Sequence, residues 1–171
     1  MNYYPLLLTG LLLVSTTAPG LEKTSPAQSE ETRQRIQQAV PYALNETLQT
    51  FSKTAHGGVQ HVVVKSAGNT SQIKLIQSHL LKMANDFRKG DFSATERMHG
   101  ADMPGLALLK KAETDDIKYE YKALENGAQI HYSTEFPPYV QALHEWFDAQ
   151  MSDHGNADIP LHNQHHSAPS E

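Results

Sequence analysis

Histidine and methionine recur close together along this chain. Ten histidines and five methionines occur with no cysteine, a donor set in which imidazole serves copper or zinc and thioether favours Cu(I). His79 and Met83 are four residues apart, so on a helix they share a face. His144 and Met151 are seven apart, a rotation of about 20° on a helix, and His154 returns to the same stripe if that helix persists. His61 stands in a β-branched run, and His99 precedes Met103 in an irregular stretch. The candidate metal ligands are therefore His61, His79, His99, His144 and His154, with Met83, Met103 and Met151. Taken singly, a histidine beside an apolar stripe is ordinarily a half-buried residue with a satisfied hydrogen bond, and a stripe methionine is ordinarily core filling. It is their coincidence that points to a metal.

The remaining histidines carry less. His131 alternates with Ile130 and Tyr132 and is expected to face solvent, and His56 lies in a turn. His162, His165 and His166 belong to a polar tail in which a solvated segment is the plainer reading. For acid-base chemistry, Asp148 follows His144 by one turn, and Asp86, Asp91, Asp102 and Asp153 flank the same segments. Carboxylates so placed also orient metal-binding imidazoles, while helix capping accounts for Asp91 and Asp153 equally well. The sequence contains no HExxH zinc-protease pattern, nucleophile elbow, phosphate loop or dinucleotide fingerprint.

Elements that can position these residues follow from periodicity. VQHVVVK at residues 59–65, bounded by glycines, reads as a strand with His61 on the face of Val59 and Val63. Residues 72–89 place Ile73, Ile76, Leu80, Met83 and Phe87 at steps of three and four, an amphipathic helix that Gly90 stops. Residues 117–124 and 128–133 alternate around Glu125-Asn126-Gly127, a strong hairpin signal. Residues 137–152 set Val140, Leu143, Phe147 and Met151 on one stripe of a second long helix, opened by two prolines. Ser93 with Glu96, and Pro104 through Leu109, suit short helical turns. Before these, Pro26 opens a polar helix that runs to about Thr50 unless Pro41 splits it. The class is α+β: a small antiparallel sheet with two amphipathic helices on one face in the order β-α-β-β-α, plus a peripheral N-terminal helix. No internal repeat is visible.

The length of 171 residues leaves room for one domain, read here as residues 51–155, after a signal peptide at 1–18 and a linker with its helix at 19–50. A disordered histidine-containing tail follows at 156–171. MNYYPLLLTGLLLVSTTA has signal-peptide length and small residues before a cleavage point, which implies a periplasmic or secreted protein with no transmembrane segment in the mature chain. A net charge of −5, with scattered cations, argues against a nucleic-acid partner. The lack of cysteine excludes disulfides, thiolate metal sites and covalently attached haem.

At GGVQHVVV, SHLLKMANDFRKGDFS, HGADMPGL and ALHEWFDAQMSDHG the chain resembles a family of small exported proteobacterial proteins commonly labelled aspartate carbamoyltransferase. The resemblance spans roughly residues 57–155 and implies no defined activity. The label itself is unsupported, because the S-T-R-T carbamoyl-phosphate loop and the H-P-x-Q segment of the genuine transferase are missing. The residues instead suggest a periplasmic protein that sequesters or delivers a metal ion, copper ahead of zinc or non-covalent haem, to another periplasmic protein. An exported enzyme with a His/Asp acid-base pair and a metal-free interaction module are the alternatives.

Overall fold

Two β-hairpins, each followed by a long helix, make the frame of the molecule. The computed structural model describes residues 26–153; the expected signal peptide, the first part of the linker, His154 and the histidine-containing tail lie outside the described residues. Helix α1 (Pro26–Ala39) is followed by a 3-10 turn at Leu44–Glu46, then strands β1 (Thr47–Thr54) and β2 (Gly57–Val64) and helix α2 (Thr70–Phe87). Short helices α3 (Ser93–His99) and α4 (Leu106–Leu109) lead to β3 (Lys118–Leu124), β4 (Gly127–Ser133) and α5 (Pro137–Asp153). The sheet has four antiparallel strands in the order β1-β2-β4-β3. The class is α+β, with α2 and α5 on the same face of the sheet. Among the described residues no helix is long and apolar enough to cross a membrane.

Strand β1 is the principal departure from the sequence reading, which carried the first helix to about Thr50. Pro41 cannot donate a helical hydrogen bond, and α1 ends before it. The alternation of TLQTFSKT then takes over, with Thr47, Gln49 and Phe51 buried. Helix α1 is also more than a polar appendage, since Thr32 and Ile36 on it and Val40 just past its end are buried on one side. The hairpin-helix order occurs twice, as β1-β2-α2 and β3-β4-α5, a repetition of form that the residues do not advertise.

Local chemistry sets the element ends. Asn69 caps α2, its side chain accepting from Gln72 N. The two hairpin loops are Ala55-His56 and Glu125-Asn126, the latter matching the Asn-Gly signal. At Gly58 a Cβ would lie 2.4 Å from the Phe147 ring, so a glycine there lets α5 rest directly on β2. Gly105, at φ +76°, brings its backbone against the Ala142 carbonyl, where a Cβ would come within 2.1 Å.

The core beneath the helices is aromatic. Tyr132 on β4 is fully buried and packs against Phe87, Tyr119, Trp146 and Phe147, with ring centroids 5.2 to 6.4 Å apart. Its hydroxyl donates to Gln60 Oε1 on β2 at 2.7 Å, both groups being buried. Replacing Tyr132 by Phe strands the Gln60 side chain, and the cost expected is about 1–3 kcal/mol, read from urea unfolding midpoints. The pair Tyr132→Phe with Gln60→Leu, which removes both polar partners, should recover much of that loss. A Tyr132→Phe variant as stable as the parent would show that this bond is not needed.

Candidate functional site

The inner face of the sheet is apolar on one side and polar on the other. Strands β3 and β4 contribute Tyr119, Ala128, Ile130 and Tyr132, whereas β1 and β2 contribute Thr47, Gln49 and Gln60 alongside Phe51, Val62 and Val64, all buried. Over the polar part, α2 supplies His79 and Met83, α3 supplies Met98 and His99, and α5 supplies Gln150. With Val40, Tyr42, Gln49 and Gln60 they line a partly open cavity of about 20 Å3. The volume suits one water or one monatomic ion.

Each donor is placed for a local reason. Ile76, Leu80, Ala84 and Phe87 form the buried stripe of α2, and His79 and Met83 each stand one position before a stripe residue, at its flank. Asp91 Oδ1 accepts from Ser93 N at 2.9 Å, anchoring the start of α3, and an ion pair from Lys110 to Glu96 ties α3 to the chain after α4. Met98 is buried, and the His99 side chain, at the last residue of α3, is 1% exposed. His99 Nδ1 donates to Asp153 Oδ2 at 2.7 Å. That bond puts a ring N–H on Nδ1, the arrangement by which a carboxylate orients a metal-binding imidazole.

His79 meets the ring of Tyr42 edge-on, with centroids 5.6 Å apart. Its Nε2 is buried without a hydrogen-bond partner, one of two such side-chain atoms among the described residues, the other being Trp146 Nε1. Burial, and secondarily the charge of Lys82, hold the His79 pKa below its ordinary value. The ring is thereby kept neutral, the state that can donate a lone pair to a metal.

Of the residues singled out in the sequence, the structure brings His79, Met83 and His99 to one cavity. His61 does not join them. Gln60, Val62 and Val64 face the helices while Val59, His61 and Val63 take the opposite face, where His61 Nε2 lies 3.2 Å from Gln129 Oε1. His144 also lies elsewhere: its Nε2 is 3.0 Å from the Thr54 carbonyl and 2.9 Å from the Gly57 carbonyl. Both oxygens only accept, so Nε2–H donates to the two and pins α5 to the β1-β2 turn. Met103 is buried in the core and Met151 half-buried against it, neither at the cavity. His131 sits on the helix-free face, 3.2 Å from Glu120. His154 is outside the described residues. Met98, Gln49, Gln60 and Gln150 were missed in the sequence. The adjacent pair Met98-His99 was the one signal available, in a stretch too short to show a helical period.

The acid-base pairing of His144 with Asp148 is not formed, since Asp148 is bound by Lys53 at 2.6 Å. An open groove of about 430 Å3 beside His56, His144 and Asp148 has room for a small molecule, but His144 Nε2 is committed to the turn. The buried histidine of a histidine-carboxylate pair, His99 with Asp153, borders a cavity too small for an organic substrate. Among the described residues no three His, Asp or Glu side chains gather as a metal set; the donors at the cavity are two imidazoles and two thioethers. The class defined is thus an α+β domain with a soft-donor cavity between helices and sheet. Comparison of the chain with known protein families, with curated proteins and with solved structures finds no match.

Two outcomes are expected. Because folded His79 binds a proton more weakly than the unfolded residue, its contribution to stability is full above about pH 6.5 and is lost as pH falls below that toward the folded-state value. Unfolding midpoints measured in acid should fall less steeply in His79→Leu than in the parent, and an identical acid limb would assign the loss to other groups. Substitution His144→Ala should cost about 1–2 kcal/mol through the lost turn contact. It should leave any ion binding at the His79 cavity unchanged.

Proposed function

We propose that this chain is an exported metal-binding protein that sequesters or delivers Cu(I), held by His79, Met83, Met98 and His99. The observation that carries the reading is the buried, unpartnered His79 Nε2 beside a cavity of about 20 Å3 whose other soft donors are Met83, Met98 and His99. A buried nitrogen left without a partner costs about 1–3 kcal/mol, and coordination removes that cost. Thioether donors favour Cu(I) over zinc, which prefers imidazole, carboxylate and thiolate. The small volume argues against haem in this position. The Asp153 carboxylate would fix the orientation of the His99 ring. Export is supported by the apolar run at Met1–Ala18, and delivery would be to another periplasmic protein.

The test is Cu(I) competition against a coloured chelator, using the full chain with His154, His162, His165 and His166 replaced by Asn so that the tail contributes nothing. About one Cu(I) per chain is expected. His79→Ala, and Met83→Leu with Met98→Leu, should abolish it, while Asp153→Asn should weaken it by about 10-fold to 100-fold. Absence of bound Cu(I), or binding indifferent to these substitutions, would leave the cavity as the seat of a buried water and overturn the proposal.

A further inference from the structure

His79, Met83 and Met98 line a second cavity as well. It measures about 40 Å3, is lined from α2 and α3, and has the charged Lys82, Asp86 and Asp91 on its border. The inner cavity also adjoins a wide cleft of about 560 Å3 between α1 and β1, through Gln49, which lines both, and through Asp153, the partner of His99. The inner cavity thus has two flanks from which an ion could approach, and they differ in chemistry. The cleft side presents amide and mixed-charge groups, among them Arg33 and Lys65, with no thioether on its lining. The α2-α3 seam presents carboxylates outside and soft donors within.

We infer that Cu(I) enters and leaves through the α2-α3 seam, passing from Asp86 and Asp91 to Met83, Met98 and His79; this rests on the Cu(I) reading above. Asp91 is solvent-exposed, and its hydrogen bonds with Ser93 hold its pKa below the ordinary carboxylate range, so it remains an anion. Asp86 is paired with Lys82 at 2.5 Å in an i,i+4 ion pair whose lysine end is 74% exposed. Such a pair is weak and readily opened, which lets Lys82 swing away as a cation arrives. Behind it stand the thioethers, whose unbranched side chains change rotamer with little resistance. The three shared side chains line both cavities, so their donor atoms can serve an ion in either. An ion moving inward exchanges ligands there without ever lacking one.

Rates test the route and equilibrium tests the site. Full chain with the tail histidines replaced is loaded with Cu(I) supplied as its cationic acetonitrile complex, and the ion is then stripped with excess bicinchoninate. Ala94→Trp, which fills the seam from α3, should slow both loading and stripping at least about 10-fold while leaving affinity nearly constant; Gln34→Trp, which fills the α1-β1 cleft, should slow neither. Asp86→Asn with Asp91→Asn keeps the Ser93 backbone cap and should slow loading about 10-fold at low salt, the size of a modest steering effect, with the difference shrinking at high salt. That pair decides the question if Ala94→Trp does not fold. Normal rates in the seam variants, or slowing by Gln34→Trp, would overturn the route while leaving the site intact. A parent chain that binds no Cu(I) would instead remove the site on which the route depends.

Discussion

Tyr132 is fully buried at the middle of the sheet, and the two halves of the molecule meet on it. Its ring is the platform for Phe87 from α2 and for Trp146 and Phe147 from α5, while its hydroxyl reaches across the β2-β4 junction to Gln60. A tyrosine so placed must satisfy its hydroxyl or lose about 1–3 kcal/mol, a large share of the roughly 5–15 kcal/mol by which a domain is stable. That requirement turns Gln60 inward. Because side chains alternate along a strand, it also fixes the direction of every other residue of β2.

The consequence explains where sequence reasoning lost the site. GGVQHVVV offers valines on both faces, Val59 and Val63 on one and Val62 and Val64 on the other, so hydrophobicity alone cannot choose which face meets the helices. Reading polar Gln60 as the outward residue puts His61 inside. The partner that brings Gln60 inside is Tyr132, 72 residues later, and a strand pattern read by itself contains no trace of it. His61 accordingly rests on the helix-free face beside Gln129.

Where the determining interactions are local, the reading is close. The α2 period, the Asn-Gly hairpin and the proline-opened α5 all correspond to observed elements, and the four-residue spacing of His79 and Met83 does set both at one cavity. The losses occur where a contact distant in sequence outweighs a local tendency. Strand β1 forms because β2 is there to pair with it. On α5, Leu143 and Phe147 of the expected stripe are buried, but the added burial of Ala142, Trp146 and Gln150 shifts the centre of that face and leaves Val140 and Met151 at its edges. The same rotation sets His144 over the β1-β2 turn and carries Gln150, rather than Met151, to the cavity. His99 needed Asp153, 54 residues away, to complete its surroundings.

The two sides of the helix-sheet interface solve the same packing problem with different materials. One buries interlocking aromatic rings, whose polar groups are the hydroxyls of Tyr119 and Tyr132 and the indole N–H of Trp146. The other encloses glutamines, two imidazoles and two thioethers around a void, an expensive choice in a small domain. Filling that void with leucines would remove the desolvation cost of the imidazoles and the loss of contact at the cavity wall. Local rules of core construction are usually broken where function resides. Here the breach is most extensive at one cavity, where the donors of greatest polarisability stand beside a neutral imidazole whose nitrogen no described residue satisfies.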